Sequence, residues 1–218
     1  CGKSAEQNEM VVKRYMNNND IYIHGDFPGS PSGIIMNPEN IEIPLHSKIQ
    51  AGNFLVCNTK NWKERRVEKS YYVTKDQVSK SAPSGEYLTT GSFMIRGKKN
   101  YLPDSNLEMG IGMIFVIRNI EDNIIKSFVY SPKEDDDIIF CIPVCSSYRS
   151  LNEYKYKIKI KPGNQKKNKM IKSITEYFCK MKDCSDKEKY LMKNISNDYF
   201  HSILLNNSQT CISGFHKK

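Results

Sequence analysis

The chain has 218 residues, 39% of them hydrophobic, and a formal net charge of +9. That is enough apolar material for one large or two small cored domains, and no apolar run reaches the roughly 18 residues that would make a membrane span. The basic balance points to a polyanionic partner, nucleic acid ahead of an anionic surface. The charge is unevenly spread. Residues 1–137 hold 17 Lys and Arg against 18 Asp and Glu, while residues 138–218 hold 16 against 6. Within the first part, the window 60–99 is locally basic, with ten against four.

The chain opens CGKSAEQNE, with neither an initiator Met nor a signal-peptide pattern, as a segment cut from a longer protein would. SAEQNEMVVKRYM reads as a helix with a capping box, Ser4 capping its start and Gln7 reaching back. Val11, Val12, Tyr15 and Met16 fall on one side of it, and Glu6, Glu9 and Lys13 on the other. IYIH (Ile21 to His24) is a strand, GDFPGSPSG a turn-rich loop, and GIIMN a second short strand. From Pro44 to about Arg66 the pattern predicts one long helix with proline in its first turn. KSYYVT is a strand, and GIGMIFVIR (Gly110 to Arg118) is an apolar, β-branched one.

Between these two strands lies KSAPSGEYLTTGSFMIRGKKN (Lys80 to Asn100), with three glycines, several hydroxyls, two aromatics and a basic end. It has no apolar periodicity, so it predicts a long loop that holds something. GSFMIRGKK approaches a phosphate-cradling P-loop, but five residues separate Gly91 from Gly97 and Lys99 stands where Ser or Thr is needed. What remains is an anion-binding loop. Its glycines let backbone approach a ligand, Thr89, Thr90 and Ser92 offer hydroxyls, and Arg96, Lys98 and Lys99 offer cations. Tyr87 and Phe93 either stack on bases or pin the loop to the core.

NIEDNIIKSFVYSPKEDDD marks a boundary, with the acidic run Glu134 to Asp137 read as a solvated linker. IIFCIPVC is a buried strand. YKYKIKIK (Tyr154 to Lys161) alternates strictly, so its lysines share one face. That row continues into Lys166, Lys167, Lys169 and Lys172, and reads either as a polyanion-binding face or as a solvated one. Met170, Ile171, Ile174, Tyr177, Phe178 and Met181 form the apolar side of a helix. A shorter helix runs from Asp186 to Lys193, and TCISGF returns as an edge strand. Strands and helices that mix in this way predict an α+β fold: a mixed or antiparallel sheet with helices, then a small α+β domain.

Seven cysteines, with no CxxC and no Cys/His pair at zinc-finger spacing, predict buried thiols in a reducing compartment and no metal or other cofactor. His24, Asp26 and His46 suggest acid/base or metal chemistry, against which a histidine that caps a turn is the favoured reading. A nuclease built on His24 and Asp26 lacks a third group at matching spacing.

Three blocks, GKSAEQNEMVVKRYM…DIYIHGDFPGS, YYVTKDQVSKSAPSGEYLTTGSFMIRGKKNYLP and GIGMIFVIR, resemble the NFACT-R domain of NEMF-type ribosome quality-control factors. DIIFCIPVCSSY and YKYKIKIKPGNQKKNKM resemble their NFACT-C domain. The resemblance divides the chain into an NFACT-R-like domain at 1–118, an acidic linker at 119–137 and an NFACT-C-like domain at 138–218. It implies the C-terminal portion of a cytoplasmic, non-catalytic factor similar to bacterial RqcH. Such factors bind ribosomal RNA and tRNA on large ribosomal subunits stalled with peptidyl-tRNA. They also support C-terminal tailing and recruit a Listerin-type E3 ubiquitin ligase through the full-length factor. The alternative is a protein-interaction or structural module that braces the rest of the factor without RNA affinity. Two stretches depart from the family pattern: Lys3 and Ser4 replace Arg and Asp, and His24, Gly25, Asp26, Phe27, Pro28 and Gly29 stand where a second His is usual. With the resemblance, the candidate RNA-contacting residues are Lys13, Arg14, His24, Lys75, Lys80, Thr89, Thr90, Ser92, Arg96, Lys98, Lys99, Lys155, Lys157 and Lys159.

Overall fold

In a computed structural model, which describes residues 1–81, 87–118 and 125–212 (125–127 by backbone alone), Ser4 starts the first helix as the capping pattern predicts. Its hydroxyl accepts the Gln7 N–H at 3.2 Å, while the Gln7 side chain reaches one residue further back, to the Lys3 N–H at 2.8 Å. Helix α1 (Ala5–Met10) then widens into a π-helical segment, Val11–Tyr15. Such i→i+5 turns are rare and frequent at functional sites.

The chain divides into two compact units, Cys1–Leu107 and Glu108–Lys218. In the first, strands β1 (Ile21–Gly25), β2 (Gly33–Ile35) and β3 (Ser70–Thr74) join the short strand β6 (Asn100–Tyr101) in an antiparallel sheet of order β2-β1-β3-β6. Strand alternation gives the sheet two distinct faces. Ile23 points to one, where it packs with Leu55 and Leu102 beneath helix α2 (Leu45–Cys57). Tyr22, Tyr71 and Val73 point to the other and pack with Met16 and Val12 of the N-terminal segment. Because His24 lies two residues from Tyr22 and pairs with Tyr71, it belongs to this second face.

The single long helix expected over 44–66 is two helices. Helix α2 ends at Cys57, where the Asn58 side chain bonds the Phe54 carbonyl at 2.8 Å. Thr59 then takes an extended conformation, and its hydroxyl accepts the Asn61 N–H to start helix α3 (Lys60–Glu64). Asn and Thr side chains compete in this way with continued helix.

The second unit is built on a ten-residue strand, β7 (Met109–Arg118), whose Met109, Ile111, Met113 and Phe115 are fully buried. Strand β9 (Asp137–Ser147) pairs along its whole length. The other edge of β7 carries β10 (Lys157–Pro162) at its start and β8 (Ile125–Val129) at its end, and β11 (Ser208–Thr210) extends β10. Every pairing among the described residues is antiparallel. Helix α4 (Lys167–Cys179) buries Met170, Ile171, Ile174 and Phe178, and Phe178 meets Tyr156, which meets Phe115, at ring separations of 5.5 and 5.6 Å. Helices α5 (Asp186–Lys193) and α6 (Asn197–Ile203) complete the unit. The sequence pattern showed the first of these and missed the second.

The fold is α+β, as expected, but the division between units falls earlier than residue 118. Strand β7 has its hydrogen-bond partners in β8, β9 and β10, so it belongs to the second unit. Of the expected linker 119–137, residues 119–124 lie outside the described residues. Residues 125–129 are a strand, and Asp137 opens β9 within reach of Arg118 (3.9 Å) and Lys187 (3.0 Å). Burial raises the pKa of Cys141 and Cys145 to about 12, keeping both as unreactive thiols at neutral pH. Among the described residues, no helix is long and apolar enough to cross a membrane and no group of His, Cys, Asp and Glu is placed to hold a metal ion.

Candidate nucleic-acid interface

Much of the described part of the glycine-rich loop is held in place by contacts within this unit. Residues 82–86 lie outside the described residues; on either side of them, Lys80 and Gly91 are tied to the N-terminal helix. The Ser92 N–H bonds the Thr89 carbonyl at 3.1 Å, closing a turn with Gly91 at φ +77°. That φ is one that L side chains avoid, and a Cβ on Gly91 would press into the Ala5 carbonyl oxygen and lie 2.7 Å from its Cα. Glycine therefore serves both conformation and close packing here. Thr89 and Ser92 hydroxyls bond each other at 2.8 Å.

Lys80 is the hub of this turn. Its ammonium donates to the Thr89 and Ser92 carbonyls at 3.0 and 3.1 Å, pairs with Glu9 at 3.0 Å, and sits 5.1 Å from the Phe93 ring centre. Glu9 also accepts from Lys13 Nζ at 2.6 Å and from the Gly91 N–H at 2.9 Å. Those bonds, Lys13 first, then Gly91 and Lys80, pull the Glu9 carboxyl from its usual 4.5 down to about 2. A depressed carboxylate pKa means the anchor is present in full above pH 4.5 and is lost as pH falls through about 2. The Gly91 amide proton resonance is accordingly expected to titrate with a midpoint near 2 rather than near 4.5.

The basic end is held differently. Gln77 is the last residue of a capping box that starts at Thr74, a pattern readable in TKDQ but absent from the sequence reading. Its amide nitrogen donates to the Arg96 and Lys98 carbonyls at 2.9 and 3.0 Å, and its own carbonyl accepts the Arg96 N–H at 2.8 Å. Gly97, at φ +78°, makes the turn between them. Strands β4 (Val78–Ser79) and β5 (Met94–Ile95) brace the same hairpin. The result displays Arg96 and Lys98 with exposed side chains that have no partner among the described residues. Lys99 is engaged, 3.0 Å from Asp26 and 4.2 Å from the Tyr71 ring centre. That bond from Lys99 is the main cause of Asp26's lowered pKa.

His24 is half-buried on the cleft face of the sheet, stacked on Tyr22 at 6.0 Å with ring planes 10° apart. Its Nδ1 is buried with no partner at hydrogen-bond geometry among the described residues, while backbone groups of Gly25 and Ser30, in the turn that follows β1, act on the ring and oppose the effect of burial. Burial, above all other influences, lowers its pKa, which keeps the imidazole neutral at pH 7. Around this face lies a cleft of about 980 Å³, bounded by the first turn of the N-terminal helix, the 27–31 loop, the α2–α3 junction and residues 90–93. Tyr87 is 86% exposed and pins nothing, whereas Phe93 is half-buried against Tyr22 at 6.2 Å.

Of the remaining candidates, Arg14 is exposed on the π-helical segment and Lys75 begins the 3₁₀ turn that Gln77 ends. The lysine row of the second unit alternates as expected, and its first three members are engaged in place, whereas Lys161, Lys166 and Lys169 are exposed with no partner among the described residues. Lys155 Nζ lies 2.8 and 3.1 Å from the carboxylate oxygens of Glu188, whose side chain is 2% exposed. Lys157 Nζ donates to the Asn152 carbonyl at 2.7 Å, and Lys159 pairs with Glu108 at 2.9 Å.

Comparison with known families decides what this loop belongs to. Residues 1–97 match the family described as NFACT protein RNA binding domain, and residues 118–214 match the NFACT protein C-terminal domain. The chain carries an NFACT-R domain followed by an NFACT-C domain. It is 48% identical over 141 residues to the ribosome quality control complex subunit NEMF homolog of Drosophila melanogaster, covering 63% of this chain and 14% of that protein. It is 47% identical over 116 residues to the NEMF subunit of Homo sapiens, covering 53% and 11%. The archaeal Rqc2 homolog aRqcH of Methanocaldococcus jannaschii is 30% identical over 180 residues, covering 82% of this chain and 24% of its own length. The chain thus spans less than a quarter of the length of each. The NFACT-R match holds the whole Lys80–Gly97 scaffold, and the NFACT-C match begins at the last residue of β7.

Proposed function

We propose that this chain is the RNA-contacting, non-catalytic portion of a ribosome quality-control factor. In this reading the NFACT-R domain meets ribosomal RNA or tRNA on a stalled large ribosomal subunit in the cytoplasm. A longer factor would recruit the Listerin-type ubiquitin ligase and support C-terminal tailing. The relatives named for ribosome quality control support the setting.

The observation that carries RNA contact is the Gln77 clamp, which fixes the turn bearing Arg96 and Lys98, both exposed and with no partner for either charge among the described residues. Cations beside hydroxyls and exposed backbone are what position a phosphate backbone without reading sequence. Arg14, Lys75 and the Thr90 hydroxyl extend this set; Lys13, Lys80 and Lys99 support it by holding the loop and its neighbours in place. For the NFACT-C domain the bracing, protein-contact reading is favoured by one observation: Lys155, Lys157 and Lys159 already have partners.

The double variant Arg96→Glu, Lys98→Glu is expected to weaken binding of labelled tRNA and of an unrelated RNA hairpin alike, by about tenfold or more at moderate salt. Unchanged anisotropy titrations for both RNAs would remove this hairpin from RNA contact.

A further inference from the structure

The cleft beside the loop is not explained by phosphate contact alone. Its walls carry six aromatic or imidazole rings from one sheet face, helix α2 and the flanking loops, among them Phe27, Phe93 and His24. Its rim carries two exposed cations, Lys3 and Lys60, neither with a partner among the described residues. Among the described residues, no Asp or Glu lines it. The cleft mixes these rings with polar groups such as Asn8, Asn58, Thr59 and Thr90, so it offers stacking surface and hydrogen-bonding groups together. Aromatic walls, cationic rim and no carboxylate together fit a ligand that is planar at one end and anionic at the other.

We infer that this cleft accepts a nucleotide extruded from single-stranded RNA. The base lies against Phe27 and Phe93, and the flanking phosphates are met by Lys3 and Lys60. Phe93 and the Ser92 hydroxyl belong to the same turn that Lys80 ties to Glu9, so the base site and the phosphate-binding hairpin are two ends of one segment. Neutral His24 fits this role better than a charged one, since it forms part of an apolar wall. The inference rests on the RNA-binding reading above and adds a base-stacking step to it.

The test uses the full chain and a short single-stranded RNA with 2-aminopurine at its centre, read by anisotropy for binding and by 2-aminopurine emission for stacking. An abasic version and free AMP serve as controls. Binding is expected to change the emission, to weaken about tenfold for the abasic RNA, and to resist AMP. Phe27→Ala and Phe93→Leu should abolish the emission change while Arg96 and Lys98 retain residual binding. Lys60→Glu, at an exposed position, should weaken binding without affecting thermal unfolding. Normal anisotropy with unchanged emission and equal affinity for the abasic RNA would overturn the base site and leave the phosphate hairpin standing. AMP displacing the RNA fully would assign the cleft to free mononucleotides and overturn it as well. A flat anisotropy trace would overturn the RNA reading itself.

Discussion

Replacing Lys155 with alanine is expected to lower the stability of the second unit by about 3–5 kcal/mol, because it strands the Glu188 carboxylate in the interior. Burial by itself pushes the pKa of Glu188 up. Hydrogen bonds from the Lys155 ammonium and from the Ser185 N–H outweigh it, and the net value lies below the usual 4.5. The sign follows: a depressed carboxylate contributes stability above pH 4.5 and loses it as pH falls below. Lys155→Ala should therefore shift the melting transition most at neutral pH and progressively less in acid. Lys155→Met with Glu188→Leu, which removes both charges and keeps the volume, should recover most of the loss. RNA affinity at low temperature, where the variant remains folded, should not change. If affinity falls instead while the melting transition stays, the lysine row contacts RNA and the NFACT-C domain is no bracing module.

Gly91→Val carries the second large effect, and it acts on function directly. A β-branched residue at φ +77° is strained by about 1–3 kcal/mol, and its Cβ would also collide with the Ala5 backbone. The turn cannot stay docked, so Glu9 loses the Gly91 N–H and Lys80 loses its seat over the Thr89 and Ser92 carbonyls. RNA affinity should fall by about tenfold, since hydroxyls, Phe93 and the basic hairpin no longer share one geometry. Gly97→Ala offers a milder comparison: a Cβ there meets only the Gln77 amide nitrogen at 3.3 Å, so the penalty is chiefly that of φ. A Gly91→Val protein that binds RNA normally would show that the turn's docking is irrelevant to contact.

Much of this fold could be read from local pattern. The Ser4 cap, the strands at Ile21, Ser70 and Gly110, the apolar face of α4 and the bounds of α5 all follow from periodicity and caps that act over a few residues. The misreadings arose where a side chain overrode periodicity or where partners are distant in sequence. Thr59 breaks the long helix through one hydroxyl. Strand β7 looks alike whichever domain it serves, and only its pairing with β8, β9 and β10 assigns it. The loop's composition identified Arg96, Lys98 and the hydroxyls as a group. It could not tell that Lys80 and Lys99 are committed internally, since their acceptors, Glu9 and Asp26, lie more than seventy residues away. Nor could it show that Lys3 and Lys60 face one cleft, because each sits in a separate element.

The central claim is that NFACT-R holds an RNA phosphate backbone through the Arg96–Lys98 hairpin. The salt dependence of RNA affinity tests it most directly, measured by anisotropy for the wild type and for Arg96→Glu, Lys98→Glu over a series of salt concentrations. Each phosphate contact releases counterions, so affinity should fall linearly with the logarithm of salt concentration, and the variant's slope should be shallower by about two contacts. Identical slopes for the two proteins, or affinity insensitive to salt in the wild type, would contradict the account.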